Sequence, residues 1–266
     1  MLRKLYRAAA LAAVLGASLF APSGICRAED PLQILFYGNS FTNATCCGSS
    51  RSVPNILQLI VTAAGHPAFQ GRNASVDGQT MQWHLTNNTS VINTGIPAGD
   101  DWDVVVLQDY STWPTHVGNL PQHLSSMLAM YQAVAARSPN VQVVEYETWA
   151  RGYSHSYYSG ATPEFPGGPA QMQQELRDGY NMSNANINAA VGHTVSEVAR
   201  AGDAWELANW PANFYGDGNY HASNRGSMLN AASASMTVPA VSWTAESAWP
   251  AFGRNGAHPL PGWPYE

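Results

Sequence analysis

Three short apolar runs constrain this chain more than any other feature. They are Leu32-Gln33-Ile34-Leu35-Phe36-Tyr37, Asp103-Val104-Val105-Val106-Leu107 and Val141-Gln142-Val143-Val144-Glu145-Tyr146. Each has the length of a strand, and near-continuous Val, Ile and Leu mark strands covered on both faces. Helical spacing follows at 53–64, 120–136 and 171–191; the last carries Met172, Leu176, Tyr180, Ile187 and Val191 at four- and seven-residue steps. A further helix is expected at 223–235. Strand alternating with helix predicts an α/β domain with a parallel sheet and helices on both faces. The stretch 86–101, full of Asn, Thr and Gly, reads as loop. So does 153–169, which is long for a connection and of the kind that often carries function. The Pro- and Trp-rich tail, 243–266, reads as irregular chain packed on the body.

A chain of 266 residues with 45% hydrophobic content supports one domain of ordinary size. Only 11% of its residues are charged, where about a quarter is usual. Its polar surface must therefore rest on Asn, Gln, Ser and Thr, with Tyr and Trp, a surface suited to work outside the cell. The net charge of −6 argues against nucleic acid or an anionic membrane as partner. Arg3, Lys4 and Arg7 precede an apolar run ending at Ala21, then Pro22 and Gly24 break it, and Cys26-Arg27-Ala28 offers small residues at a cleavage site. That is the pattern of a signal peptide over 1–28, leaving 29–266 as the mature domain. The run falls short of the roughly 20 apolar residues that span a bilayer. The expectation is a secreted or periplasmic protein with no membrane attachment after cleavage. Ile25 disfavours a lipid anchor at Cys26. The remaining cysteines, Cys46 and Cys47, are neighbours; they form either a vicinal disulfide or two small buried thiols, and no long loop is closed either way.

The chemistry is expected where the strands end, because ligands of open parallel sheets bind outside the carboxyl edge. Gly38-Asn39-Ser40-Phe41-Thr42 falls there after the first run. Gly38 permits a sharp turn and Ser40 projects a hydroxyl beside the following helix. Far along the chain stands Asp217-Gly218-Asn219-Tyr220-His221-Ala222-Ser223. A serine hydroxyl becomes a nucleophile when an imidazole takes its proton, and the imidazole needs an acceptor on its other nitrogen. Ser40, His221 and Asp217 are thus a candidate nucleophile, base and orienting acid. His84, His116, His123, His155 and His193 lack zinc-ligand spacing, and no glycine-rich phosphate loop occurs. No metal and no cofactor are implied.

Taken together these blocks resemble the SGNH (GDSL-like) hydrolase superfamily, in the branch with Gly-Asn-Ser-Phe at the nucleophile. Gly38-Asn39-Ser40-Phe41 matches the first block. Gly78 in Val76-Asp77-Gly78-Gln79-Thr80 matches the glycine whose amide serves an oxyanion hole. Leu107-Gln108-Asp109-Tyr110-Ser111 occupies the third block, and Tyr220-His221-Ala222-Ser223 with Gly226 and Leu229 the last. The resemblance covers nearly all of the mature chain. It implies a three-layer α/β/α sandwich, flavodoxin-like, with about five parallel strands. It also implies a serine esterase that works through an acyl-serine on an acylated carbohydrate or another small or polymeric ester. An acyltransferase with the same triad, or a non-catalytic glycan-binding protein, are the alternatives. The oxyanion hole would comprise the Ser40 and Gly78 amides and a side-chain amide, for which Gln108 stands where many members have Asn. The alternative for Gln108 is a tie for the loop after its strand. The usual acid lies three residues before the histidine, where this chain has Gly218. Asp217, one residue earlier, takes that role, or a backbone carbonyl does. Trp149 and Arg151, after the third run, are candidate substrate contacts or else packed structure, as are Glu145 and Glu147 at the same edge. Asp203 is expected to cap a helix.

Overall fold

The computed structural model describes residues 30–238. The signal-peptide and Cys26 readings and the 243–266 tail lie outside them. Five strands form one sheet: β1 (Gln33–Tyr37), β2 (Gln70–Asn73), β3 (Val104–Leu107), β4 (Gln142–Tyr146) and β5 (Ser196–Ala199). Their order is β2-β1-β3-β4-β5 and every pairing is parallel. The expected fold is therefore present. Two of the five strands, β2 and β5, are not apolar runs. β2 is an exposed edge strand of sequence Gln-Gly-Arg-Asn, held by its backbone ladder to β1, so no hydrophobic signal marks it.

The helices are α1 (Ser40–Asn43), α2 (Val53–Ala63), α3 (Met81–Asn87), α4 (Ser90–Thr94), α5 (Leu120–Ala135), α6 (Gly168–Val191), α7 (Ala201–Leu207) and α8 (Asn224–Ser235). Their starts are written in the sequence. Ser52, Thr80, Asn119 and Ser223 each accept a backbone amide of the first turn, which satisfies donors that the helix cannot. Pro54 and Pro121 sit in first turns where no amide is needed. Gly192, at φ 84°, ends α6. The stretch 86–101, read as loop, contains the short helix α4, whose Ile92 is buried and whose carbonyl accepts the Trp102 indole at 2.9 Å. Arg200, not Asp203, stands at the α7 N-cap position. Asp203 lies in the first turn and pairs with Arg177 at 2.7 Å.

Alternate strand residues build two cores. Ile34, Phe36, Val104, Val106, Val144 and Tyr146 meet α2, α7 and α8 on one face. Leu35, Tyr37, Val105, Leu107 and Val143 meet α3, α4 and α5 on the other. The long helix α6 contributes to both, through Met172 and Leu176 on the first side and Tyr180 and Ile187 on the second. Burying each such side chain contributes about 1.5–3 kcal/mol, so the sheet is rigid from both faces. Among the described residues no helix is long and apolar enough to cross a membrane.

Candidate active site

The first turn after β1 presents Ser40 at the carboxyl edge of the sheet. Asn39 caps α1, its side-chain oxygen accepting the Phe41 amide at 3.0 Å. Two buried groups brace this turn from behind. His84 Nε2 lies 2.8 Å from the Gly38 carbonyl, and the Asn88 side-chain amide lies 3.1 Å from His84 Nδ1. An amide NH2 can only donate to Nδ1, so the proton of His84 is assigned to Nε2, which donates to Gly38. Burial holds His84 below the usual histidine range, consistent with this neutral form. Gln108, after β3, accepts the Asn39 amide at 3.0 Å and the Thr42 hydroxyl at 2.9 Å on Oε1, while its Nε2 donates to the Asp109 carbonyl.

That geometry corrects the expectation for Gln108. The atom facing the Asn39 N–H must be an acceptor, so the amide nitrogen points away towards Asp109. Gln108 ties the nucleophile turn to β3. Asp109 then fixes the next segment, accepting the Met81 and Tyr110 amides, each at 2.7 Å, and facing His123 Nδ1 at 3.0 Å.

His221 arrives from the far end of the chain, just before α8. Its Nε2 lies 3.0 Å from Ser40 Oγ and its Nδ1 lies 2.7 Å from Asp217 Oδ2. The other Asp217 oxygen accepts the Tyr220 and His221 amides, each at 2.9 Å. Gly218, at φ 97°, allows the turn that brings the carboxylate round. Burial alone would raise the Asp217 carboxyl, but the His221 ring and the two amides outweigh it and hold it below the ordinary aspartate range. Ser40, His221 and Asp217 therefore stand together as a chain of hydrogen bonds.

Gly78 stands beside the nucleophile turn, at φ 74°. Its two neighbours are tied there: Asn43 donates to the Asp77 carboxylate at 3.0 Å and Asn39 to the Gln79 carbonyl at 3.1 Å. Neither the Ser40 nor the Gly78 amide has a protein acceptor among the described residues.

Trp149 and Arg151 are placed differently from a substrate wall. Trp149 is fully buried, stacked between Phe41 at 4.2 Å and Trp205 at 4.8 Å, and its indole N–H donates to the Tyr220 carbonyl at 3.1 Å. Its size and flatness suit a core stack that supports both nucleophile and base segments. Arg151 is also buried. Its guanidinium lies 3.9 Å from the Tyr220 ring centre and donates to Ser111 Oγ at 2.8 Å. It packs beneath the residue preceding His221. Glu145 and Glu147 are likewise buried, bonded to Ser196 at 2.9 Å and to Gln173 at 2.8 Å respectively. They are parts of the scaffold.

Cys46 and Cys47 form a vicinal disulfide. The glycine that follows, Gly48, packs backbone to backbone on Gly216, so that a methyl added at Gly216 would lie 2.5 Å from Gly48 Cα. Ser50 N–H and Oγ meet Asn224 Oδ1 at 2.7 and 2.9 Å. The disulfide segment is therefore moored to the loop that carries Asp217 and His221. The sequence reading missed this contact, and also the bracing roles of His84 and Asp109. Only the position of Asp109 at a strand end hinted at one.

Solved structures share this arrangement of elements. A protein from Slackia heliotrinireducens assigned to the SGNH hydrolases superposes with a TM-score of 0.58 at 20% identity, over 77% of this chain and 97% of the other. The fold is that of the SGNH hydrolases. The family 3 carbohydrate esterase of Clostridium thermocellum has the same SGNH fold (TM-score 0.54, 16% identity, 77% and 93% covered). So does the lipase/acylhydrolase of Enterococcus faecalis (TM-score 0.51, 15% identity, 76% and 92% covered). No protein-family model matches the sequence, and a search of curated proteins finds no match.

Proposed function

We propose that the chain is an exported serine ester hydrolase. The observation that carries this reading is the Ser40–His221–Asp217 relay, at 3.0 and 2.7 Å. The amides of Ser40 and of Gly78, which lies in a segment tied to the nucleophile turn, have no protein acceptor among the described residues and support it. In this mechanism Ser40 Oγ attacks the ester carbonyl while His221 Nε2 takes its proton. Asp217 holds the imidazole in the right tautomer and stabilises the imidazolium that forms. The Ser40 and Gly78 amides receive the negative oxygen of the tetrahedral intermediate. Each such donor is typically worth about 3–4 kcal/mol of barrier. His221 returns the proton to the departing alcohol and leaves an acyl-serine. Water, activated by the same imidazole, then releases the acid.

The substrate proposed is an acylated carbohydrate or another small or polymeric ester. The low charge and abundant Tyr and Trp favour a sugar-bearing substrate, and one structure of the same fold is a carbohydrate esterase. Nucleic acid is disfavoured by the net charge of −6. Export rests on the pattern of residues 1–28, which predicts a secreted or periplasmic protein.

The test combines a fluorophosphonate probe with a panel of short-chain, long-chain and sugar-acetyl esters. The expected result is covalent labelling at Ser40, abolished in Ser40→Ala, with turnover of at least one ester class. Turnover retained in full by Ser40→Ala would overturn the mechanism.

A further inference from the structure

We propose that Cys46, Cys47 and His221 form a redox-gated site for a thiophilic divalent cation of the zinc type, and that filling it stops hydrolysis. The second half of this proposal rests on His221 being the catalytic base. The two sulfur atoms and a ring nitrogen of His221 all lie within 4.8 Å of one another. Cys46 is exposed, and Cys47 and His221 are partly so, hence both a reductant and an ion have access. Zinc bonds of about 2.3 Å to sulfur and about 2.0 Å to nitrogen set tetrahedral donor atoms roughly 3.5–4 Å apart. The sulfur-to-imidazole distances need to close by at most about an ångström, and the two sulfurs, bonded to each other here, move apart once reduction breaks their bond.

The disulfide is the gate. While the sulfurs are bonded to each other neither is a thiolate, and the site has a single ligand. A dithiol of the thioredoxin or dithiothreitol class opens it. The dithiol gives two electrons and two protons to the pair and leaves as its own disulfide, and the Cys46–Cys47 bond becomes two thiols. A cation then displaces one proton from each thiol and binds two sulfurs and one imidazole nitrogen, a donor set that suits zinc and cadmium.

Which imidazole nitrogen is used follows from the hydrogen bonds. Nδ1 is held by Asp217, so Nε2 is the nitrogen left for a metal. A carboxylate on the far side of a ligating histidine is the usual support for such a bond. Nε2 is also the atom that faces Ser40 Oγ. A cation there occupies the lone pair that would take the serine proton, so metal binding and catalysis exclude each other. The Gly48–Gly216 contact and the Ser50–Asn224 bonds keep the cysteines beside His221 independently of the S–S bond.

The experiment uses the protein with the disulfide intact and after reduction by dithiothreitol, which is then removed without air, with thiols counted in both. Cd2+ alone is titrated against the thiolate charge-transfer absorption, and Zn2+ alone against ester turnover. The expected result is one equivalent of Cd2+ bound by the reduced protein and none by the oxidised one. Turnover falls by about tenfold or more at saturating Zn2+ and returns with a chelator. In Cys46→Ser/Cys47→Ser the absorption is lost, and so is inhibition measured against that variant's own metal-free rate. His221→Ala weakens Cd2+ binding by at least about tenfold. No Cd2+ uptake by the reduced protein, or unchanged affinity in His221→Ala, overturns the metal site. Cd2+ uptake with full turnover at saturating Zn2+ overturns the gating. Cd2+ uptake in a protein that turns over no ester and takes no fluorophosphonate leaves the metal site standing and removes the hydrolase reading.

Discussion

Asp217 reaches His221 from four residues away because Gly218 turns the chain and two backbone amides fasten the carboxylate. This makes the acid a local device of one loop, separable from the nucleophile by mutation. Ser40→Ala and His221→Ala are expected to lower ester turnover by about 10³-fold or more, with little change in thermal stability. Asp217→Asn is expected to lower kcat by about 10²–10⁴-fold, because an amide facing Nδ1 favours the wrong tautomer. Rates on a soluble ester, with thermal melts as control, check all three. Gln108 gives a different expectation. Gln108→Ala strips the acceptor from the Asn39 amide and the Thr42 hydroxyl, both buried. Thermal or urea unfolding should show a loss of about 1–3 kcal/mol. A variant that kept full stability and lost only kcat would instead mark Gln108 as an oxyanion donor. The sequence presented the right residue type at this position, but only the partner of each amide atom settles its task.

At the scale of elements, the site is a meeting of loops from strands far apart in sequence, held by close backbone contact. The segment after α1 and the loop before α8 touch through Gly48 and Gly216, with Cys47 and Ala222 carbonyls nearby. No side chain fits there. Gly216→Ala is expected to destabilise by about 1–3 kcal/mol, as overpacking does. It should also lower turnover, because Asp217 is the next residue. A melt and a rate on the same preparation test this; an unchanged rate with an unchanged melt would mean the contact is slack. The strand β2 and the short helix α4 belong to this scale as well. Neither is marked by an apolar period, because β2 draws on ladder bonds and α4 on the single buried Ile92.

Over the whole molecule, two buried carboxyls, Glu145 within β4 and Glu147 just after it, shape the response to pH. Burial pushes Glu145 up to about 7 and Glu147 up to about 8, with neighbouring hydroxyl and guanidinium groups pulling them back only in part. An acid whose folded pKa is raised binds more protons folded than unfolded, so it opposes folding as pH rises. Stability contributed by the protonated forms is therefore complete below the ordinary glutamate range. It is lost as pH rises from there through about 7 and 8. Thermal midpoints should fall by several degrees between pH 5 and pH 8, and Glu145→Gln should flatten part of that slope. A midpoint that rose over this window would reverse the assignment. Asp217 acts with the opposite sign and in a lower range: its lowered pKa supports folding above the ordinary aspartate range and that support fades as pH falls.

The sequence by itself determined the α/β class, the central strands and the main helices, and its resemblance to a superfamily named Ser40 and His221 as a pair. The elements follow from local rules of period and turn chemistry, whereas the pair follows from the resemblance of several blocks, in order, to one superfamily. The tertiary structure alone decided the roles of Gln108, Trp149 and Arg151 and the contact between the disulfide and the catalytic loop. Burial and hydrogen-bond direction depend on which distant segments meet. A side chain at a strand end looks the same in sequence whether it faces the substrate or the core.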